Sequence, residues 1–517
     1  MKTIFNFIKK NRNIILLIIS FVFLTMLILG MTYAYFDLKT GGETESTMNI
    51  GGAEISATYA YSNSINITDA LPGNDVIAYK DITLTYKNTS SEEYKVYLKT
   101  VIDYSTFTNT ENDGVLYYDI YSGTDHSTLV QDKIIFPTIT YGKAILKEIS
   151  IPANSTGTLN YRINFYFPES NKLQNPDGQL VLNASISVEN DNSLKYTPTL
   201  LKKLDLMYQY ESGTNGLEQD DTTNKNIRYV GASPKNYLKF NNEIWRIIGV
   251  FNNITTIDEL ELGKEKKELL VKIVRNESLG NYSWDTTDST INNGDGINEW
   301  SQADLMYELN CDGSSNSIYC RDETKDGYLS DITSGTVYWY DNKNNSKVGK
   351  YDYSKNIKIS AINQIANVEW NLGGTSSGTS SSASALSSYT QERGTTHVSN
   401  PADGVTRTNT WDGKIGLMYP SDYGYASTNK ACRNQMNSST NNEYNCKYDN
   451  WLFTGLWEWT FSPYYNNTTN TRSIYSDGRV YVSGARNGHA VRPALFLKSD
   501  VVISGGTGTE SDPYVID

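Results

Sequence analysis

Hydrophobic positions follow three different patterns along this chain. Residues 14–36 carry no charge and directly follow Lys9, Lys10 and Arg12. A basic head before a long apolar run marks an export signal or a membrane anchor, and it places the rest of the chain outside the cytoplasm. Roughly 20 apolar residues at about 1.5 Å each cross a bilayer core, so the run is long enough to remain as an anchor. Ala34 is small and lies two residues after Thr32, which suits cleavage before Tyr35 by a signal peptidase. Residues 1–34 are therefore read as a signal peptide or a membrane anchor, with membrane contact at least before processing.

From 35 to 190 the period shortens to two. Ile82-Thr83-Leu84-Thr85-Tyr86, Tyr94-Lys95-Val96-Tyr97-Leu98 and Tyr161-Arg162-Ile163-Asn164-Phe165 alternate apolar and polar groups, as strands with one wet face do. Turn residues separate them at Leu71-Pro72-Gly73-Asn74-Asp75, Asn88-Thr89-Ser90 and Pro152-Ala153-Asn154-Ser155. This predicts one antiparallel β-sandwich over 35–190. Residues 191–226 read as a helix and a linker. Thr197 and Pro198 start the helix, Leu200, Leu201, Leu204 and Met207 form its apolar face, and a polar, Gly-bearing stretch comes after it.

Residues 227–517 read as an aromatic-rich α+β recognition domain. The domain opens with two strands around Asn241-Asn242, which reads as a hairpin turn. Short helices are expected at 301–306 and 357–368, a mobile Ser-rich loop at 375–388, and closing strands at 476–481 and 491–497. The fold class is mainly β with α+β: an N-terminal apolar helix, a jelly-roll-like sandwich, then an α+β domain.

Composition narrows the function. There are 39 Tyr against 14 Phe, and the net charge is −13. No basic stripe exists to release counterions from a phosphate backbone, so a nucleic-acid partner is excluded. The four Cys form two close pairs, Cys311 with Cys320 and Cys432 with Cys446, which in an exported chain read as disulfides. The rival reading, a zinc site, lacks CxxC spacing and has only His126, His397 and His489 to add imidazole. None of the three His sits in a GxSxG or HExxH context, so no nucleophile–base set emerges. A pair of carboxylates for glycoside hydrolysis leaves no mark in the spacing. No metal or other cofactor is expected.

Aromatic rings with polar tips suit pyranose stacking. Trp245, Trp370, Trp451 and Trp459 lie in apolar runs and read as core. Trp284, Trp411 and Tyr423 are flanked by Asp, Gly and Ser and are the candidate ligand surface. Arg492 reads as a buried guanidinium paired with an acid.

Ala34-Tyr35-Phe36-Asp37, Leu71-Pro72-Gly73-Asn74-Asp75 and Lys87-Asn88-Thr89-Ser90 together resemble the camelysin/TasA-like family of Gram-positive surface proteins. Asn74, between Gly73 and Asp75, departs from the family's Pro-Gly-Asp turn. The resemblance implies a jelly-roll-like sandwich, a junction cut by a dedicated SipW-type signal peptidase and, in some members, fibres. The protease activity described for camelysins is not carried over, since no HExxH is present. Residues 229–501 resemble an uncharacterised surface domain of gut-dwelling Gram-positive bacteria. That resemblance rests on Trp245-Arg246-Ile247-Ile248-Gly249, Asn281-Tyr282-Ser283-Trp284-Asp285, Met418-Tyr419-Pro420-Ser421-Asp422-Tyr423-Gly424 and Val491-Arg492-Pro493-Ala494-Leu495. More distantly this block is similar to the C-type-lectin and formylglycine-enzyme folds.

The expected function is a non-enzymatic, exported cell-surface protein for adhesion or ligand binding, with a glycan or an unknown host ligand as partner. The alternative is a matrix or fibre subunit that self-assembles through its N-terminal strand. An extracellular hydrolase is the third reading.

Overall fold

The computed structural model describes residues 44–516, apart from 51, 61, 69, 108–114, 138–140, 170–179, 197, 212–215, 258–264, 287–294, 311–358, 377–383, 400 and 438–445. The chain divides into two compact units, Met1–Tyr196 and Thr197–Asp517, and it is mainly β. The apolar segment 14–36 and the junction at Ala34 and Tyr35 lie outside the described residues. No helix among the described residues is long and apolar enough to cross a membrane.

The first unit is built from β1 (Thr44–Ile50), β2 (Ala53–Tyr59), β3 (Ser64–Ile67), β4 (Val76–Asn88) and β5 (Tyr94–Ser105), followed by β6 (Tyr117–Ser122), β7 (Thr128–Ile135), β8 (Gly142–Ile151), β9 (Ser155–Tyr166) and β10 (Leu182–Glu189). They form two sheets, ordered β1-β2-β4-β9-β6-β7 and β3-β10-β5-β8, in which every described pairing is antiparallel. The alternating runs of the sequence lie inside β4, β5 and β9. Their inward residues, including Ile82, Leu84, Val96, Leu98, Tyr161, Ile163 and Phe165, join residues of both sheets in one core. Asn88 is buried and fastens two of the expected turns, since its Nδ2 donates to Glu92 O and Pro152 O, both at 2.9 Å.

In the second unit, the long strands Glu243–Ile257 and Glu265–Arg275 lie at the middle of an eleven-stranded sheet. The expected hairpin is present: Tyr237–Phe240 pairs with Glu243–Ile257, and Asn241 and Asn242 have φ of 53° and 59°. Two consecutive left-handed residues give the turn a twist that matches its strands. A five-stranded sheet runs in the order Asn281–Ser283, Gly488–Ala490, Glu458–Pro463, Asn470–Ile474, Val480–Gly484.

Several expectations for this unit change. The closing strand expected at 476–481 is a turn followed by Val480–Gly484. Of the helix expected at 357–368 the described part is Ile359–Ile362, with a strand starting at Val368. The helix expected within 191–226 spans Leu200–Glu211, and the Thr199 hydroxyl accepts its first-turn hydrogen bond from Lys202 N at 3.1 Å. The stretch read as a linker is instead part of the unit. Leu217–Gln219 pairs with Ile227–Tyr229, and Leu200, Leu204 and Met207 belong to the unit's core. The polarity of that stretch misled because Asp220, Thr222 and Asn226 are buried and bonded to one another, so they fold inward rather than face water. The Ser-rich loop also ends early. Ser384 caps a helix over Ala385–Glu392 in a reciprocal box with Ser387, and 377–383 lie outside the described residues.

Candidate functional site

The residues nominated as an exposed ligand surface are in the core. Trp284, Trp411 and Tyr423 are 0%, 8% and 4% exposed. Trp284 packs against Trp300 and Trp459, with ring centroids 5.0 and 6.1 Å away. Trp411 crosses the edge of Trp300 at 5.9 Å, and Tyr423 donates its hydroxyl hydrogen to Gly478 O at 2.9 Å. Polar neighbours suggested exposure, but those of Trp284 and Tyr423 are buried too, whereas Trp411 points inward from a strand on which Thr410 and Asp412 are exposed. Ser283 donates to Arg486 O, and Asp285 accepts from Ile297 N and Asp304 N. The four tryptophans read as core, Trp245, Trp370, Trp451 and Trp459, are all buried.

Among the described tryptophans the exposed one is Trp457, at 45%. It sits just before the strand Glu458–Pro463, after a turn in which Gly455 has φ 77°, and its carbonyl accepts from Ala490 N at 2.7 Å. The hairpin after Asn470–Ile474 holds it from one side. Tyr475 stacks on the indole with centroids 4.3 Å apart and planes 12° from parallel, while Trp457 Nε1 donates to Ser476 Oγ at 2.9 Å. Tyr481 crosses Tyr475 edge-on at 5.6 Å and is itself exposed. Inward from Trp457, the His489 ring lies 5.4 Å away, and Trp459 lies 4.3 Å beyond it. A row of rings thus leads from buried Trp284 through Trp459, His489, Trp457 and Tyr475 to Tyr481 at the surface.

Beside this row lies a cleft of about 510 Å³ lined by Asn281, Gly455, Leu456, Trp457, Asn487, Gly488 and His489. No lining side chain is a carboxylate, a lysine or an arginine. Burial pushes the His489 imidazole down to about 4, against a smaller upward effect of its bond to Gly488 O, so the ring is neutral at pH 7. Its hydrogen bonds fix the tautomer: Nδ1 donates to Gly488 O at 3.0 Å and Nε2 accepts from Ser483 Oγ at 2.7 Å. Asn487 Nδ2 donates to that same Ser483 oxygen at 3.0 Å, leaving its carbonyl oxygen for a ligand.

Below the cleft, Arg492 grips Glu458. Nε to Oε1 is 2.7 Å, Nη2 to Oε2 is 3.1 Å, and Nη2 also donates to Leu452 O at 2.7 Å. Glu458 is the acid expected for Arg492, and both are buried. Burial raises the Glu458 carboxyl despite the lowering effect of Arg492. The pair anchors the strand that presents Trp457.

A second polar cluster is sealed from solvent. Asp422 accepts from Arg228 Nη1 at 2.5 Å and from Lys272 Nζ at 2.6 Å, and Arg228 Nε also bonds Asp220 at 2.9 Å. All four side chains are 2% exposed or less, so no substrate reaches them from outside.

Of the four cysteines, Cys432 is buried and disulfide-bonded. Cys446 stands in a short turn at Cys446–Asp449, and Cys311 and Cys320 lie outside the described residues. Among the described residues, no group of three or more His, Cys, Asp or Glu is arranged to hold a metal ion.

No protein-family model matches the chain, and no curated protein does. One solved structure with some likeness is TmCBM61 in complex with β-1,4-galactotriose, at 8% identity and TM-score 0.13, covering 29% of this chain and 90% of that one. Another is the CBM22-2 xylan-binding domain from Paenibacillus barcinonensis Xyn10C, at 14% identity and TM-score 0.13, covering 29% of this chain and 89% of that one. At that TM-score neither likeness carries an argument about what this chain does.

Proposed function

We propose that this chain is a surface-presented binding protein whose second unit recognises uncharged sugar residues at the Trp457 cleft. One observation carries the reading: an exposed indole, clamped by Tyr475 and Ser476, forms the wall of a cleft lined only by neutral groups. A pyranose has an apolar C–H face and polar edges. The indole matches the face, and the Asn281 and Asn487 amides match the edges. Holding Trp457 in place beforehand lowers the ordering cost of binding. Presentation outside the cell rests on the uncharged run at 14–36 behind its basic head.

The test is a glycan array probed with the full chain and with Trp457→Ala. Binding of neutral oligosaccharides by the parent, weakened about 30-fold in the variant, is the outcome for a central stacking residue worth about 2 kcal/mol. Equal binding by both chains would move the site elsewhere.

A second reading, a self-assembling structural subunit, is favoured by the placement of β1. Among the described strands it pairs only with β2, at the end of its sheet, and residues 35–38 precede it closely. An arm of that kind can add to another copy's sheet. Electron microscopy of chains starting at Tyr35, beside chains lacking 35–38, distinguishes the two, because only the first should form filaments.

A further inference from the structure

The sealed cluster around Asp422 holds an amine and a carboxylate in contact. Lys272 Nζ lies 2.6 Å from Asp422 Oδ2. The rings of Tyr419, Trp370, Phe496 and Phe251 surround the ammonium, with centroids 4.3, 5.1, 5.5 and 5.7 Å away. We propose that Lys272 and Asp422 condense into an intramolecular isopeptide bond, tying the strand Glu265–Arg275 to the helix Pro420–Tyr425.

The step needs no co-reactant. A proton passes from the ammonium to the carboxylate across the 2.6 Å contact, giving an amine and an acid. The nitrogen lone pair attacks Cγ, a new C–N bond forms and one C–O bond breaks. The departing oxygen leaves as water, carrying two of the three ammonium protons, and the third stays on the amide. Nothing is oxidised or reduced. Burial lowers Lys272 to about 8, against the opposing pull of Asp422. Asp422, against the effect of its own burial, is held low by Lys272 and Arg228, so the neutral amine–acid pair is a minor form on which the condensation draws. Arg228 Nη1 sits 2.5 Å from Oδ1, where it faces the negative charge that develops during attack.

Three features favour the product. Effective molarities for groups held in contact reach on the order of 10⁵–10⁸ M. The buried ammonium and carboxylate, each costly to desolvate, become one neutral amide. The remaining charges also balance, because Arg228 keeps Asp220 as its partner at 2.9 Å. The other fully buried lysine among the described residues, Lys99, lacks this setting. Its acids Glu189 and Asp191 have side chains 23% and 60% exposed, so water reaches them.

The experiment is intact-mass spectrometry of the full chain with its thiols accounted for, beside Lys272→Arg, which keeps the cation and cannot form this amide. The parent should weigh one water less than its sequence and the variant its full sequence mass. A tryptic digest of the parent should yield a branched peptide through Lys272 and Asp422 that survives reduction. A parent at full mass overturns the proposal, and so does the same loss in Lys272→Arg.

Discussion

His489 combines two demands on a single ring. It supports Trp457 from below, and it must stay neutral to do so between Trp457 and Trp459. Its folded value of about 4 lies below the usual 6.5, so the unfolded chain binds a proton that the folded chain refuses. Stability is therefore complete above pH 6.5 and falls as pH drops towards 4, by up to about 3 kcal/mol from this group. Urea melts at pH 7 and pH 4.5 should show that loss in the parent and a smaller one in His489→Gln. Arg492 is sensitive in a different way. Arg492→Met leaves Glu458 buried without its cation and should cost about 3–5 kcal/mol; replacing both partners by apolar residues should recover much of that, as denaturation midpoints would show. At this scale, sequence reading succeeded for Arg492 and failed for Trp284, Trp411 and Tyr423. A guanidinium between Val491 and Pro493 has few fates. Exposure cannot be inferred from the polarity of neighbours that are themselves buried and hydrogen-bonded, as Ser283 and Asp285 are.

Elements governed by local rules were legible. Alternation located β4, β5 and β9, and Asn241-Asn242 announced its hairpin. Left-handed backbone costs a β-branched residue about 1–2 kcal/mol, so Asn242→Val, at φ 59°, should lower stability by that amount in chemical denaturation. Elements set by distant partners were hidden. Leu217–Gln219 is too short to show a period, and its pairing with Ile227–Tyr229 depends on Asp220, Thr222 and Asn226 folding inward. Trp457 is hidden for a related reason. Its spacing from Trp459 puts both on one side of an ideal strand, and only the Tyr475–Arg479 turn, closed by hydrogen bonds from Tyr475 N to Arg479 O and from Gly478 N to Tyr475 O, brings a second ring to hold it at the surface. Tyr475 and Tyr481, which flank a Ser-Asp-Gly turn, were the available signal.

For the molecule as a whole, the division into two cores followed from the change of hydrophobic period, because each stretch closes its own apolar faces. The acidic charge balance also acts at this scale. Repulsion between chains fades near the pI of about 4.9, so light scattering should show a solubility minimum close to pH 5. The row of rings that begins at Trp284 has one more property, an optical one. All nine tryptophans lie beyond residue 244, so indole emission reports on the second unit and is silent about the first. Eight of them are described, and of these only Trp457 is exposed. Acrylamide should therefore leave the emission of the seven buried described tryptophans untouched, and Trp457→Phe should lessen the quenched, red-shifted share. On the proposed function, a sugar seated on the indole would shield it from the quencher, which gives that reading a label-free test.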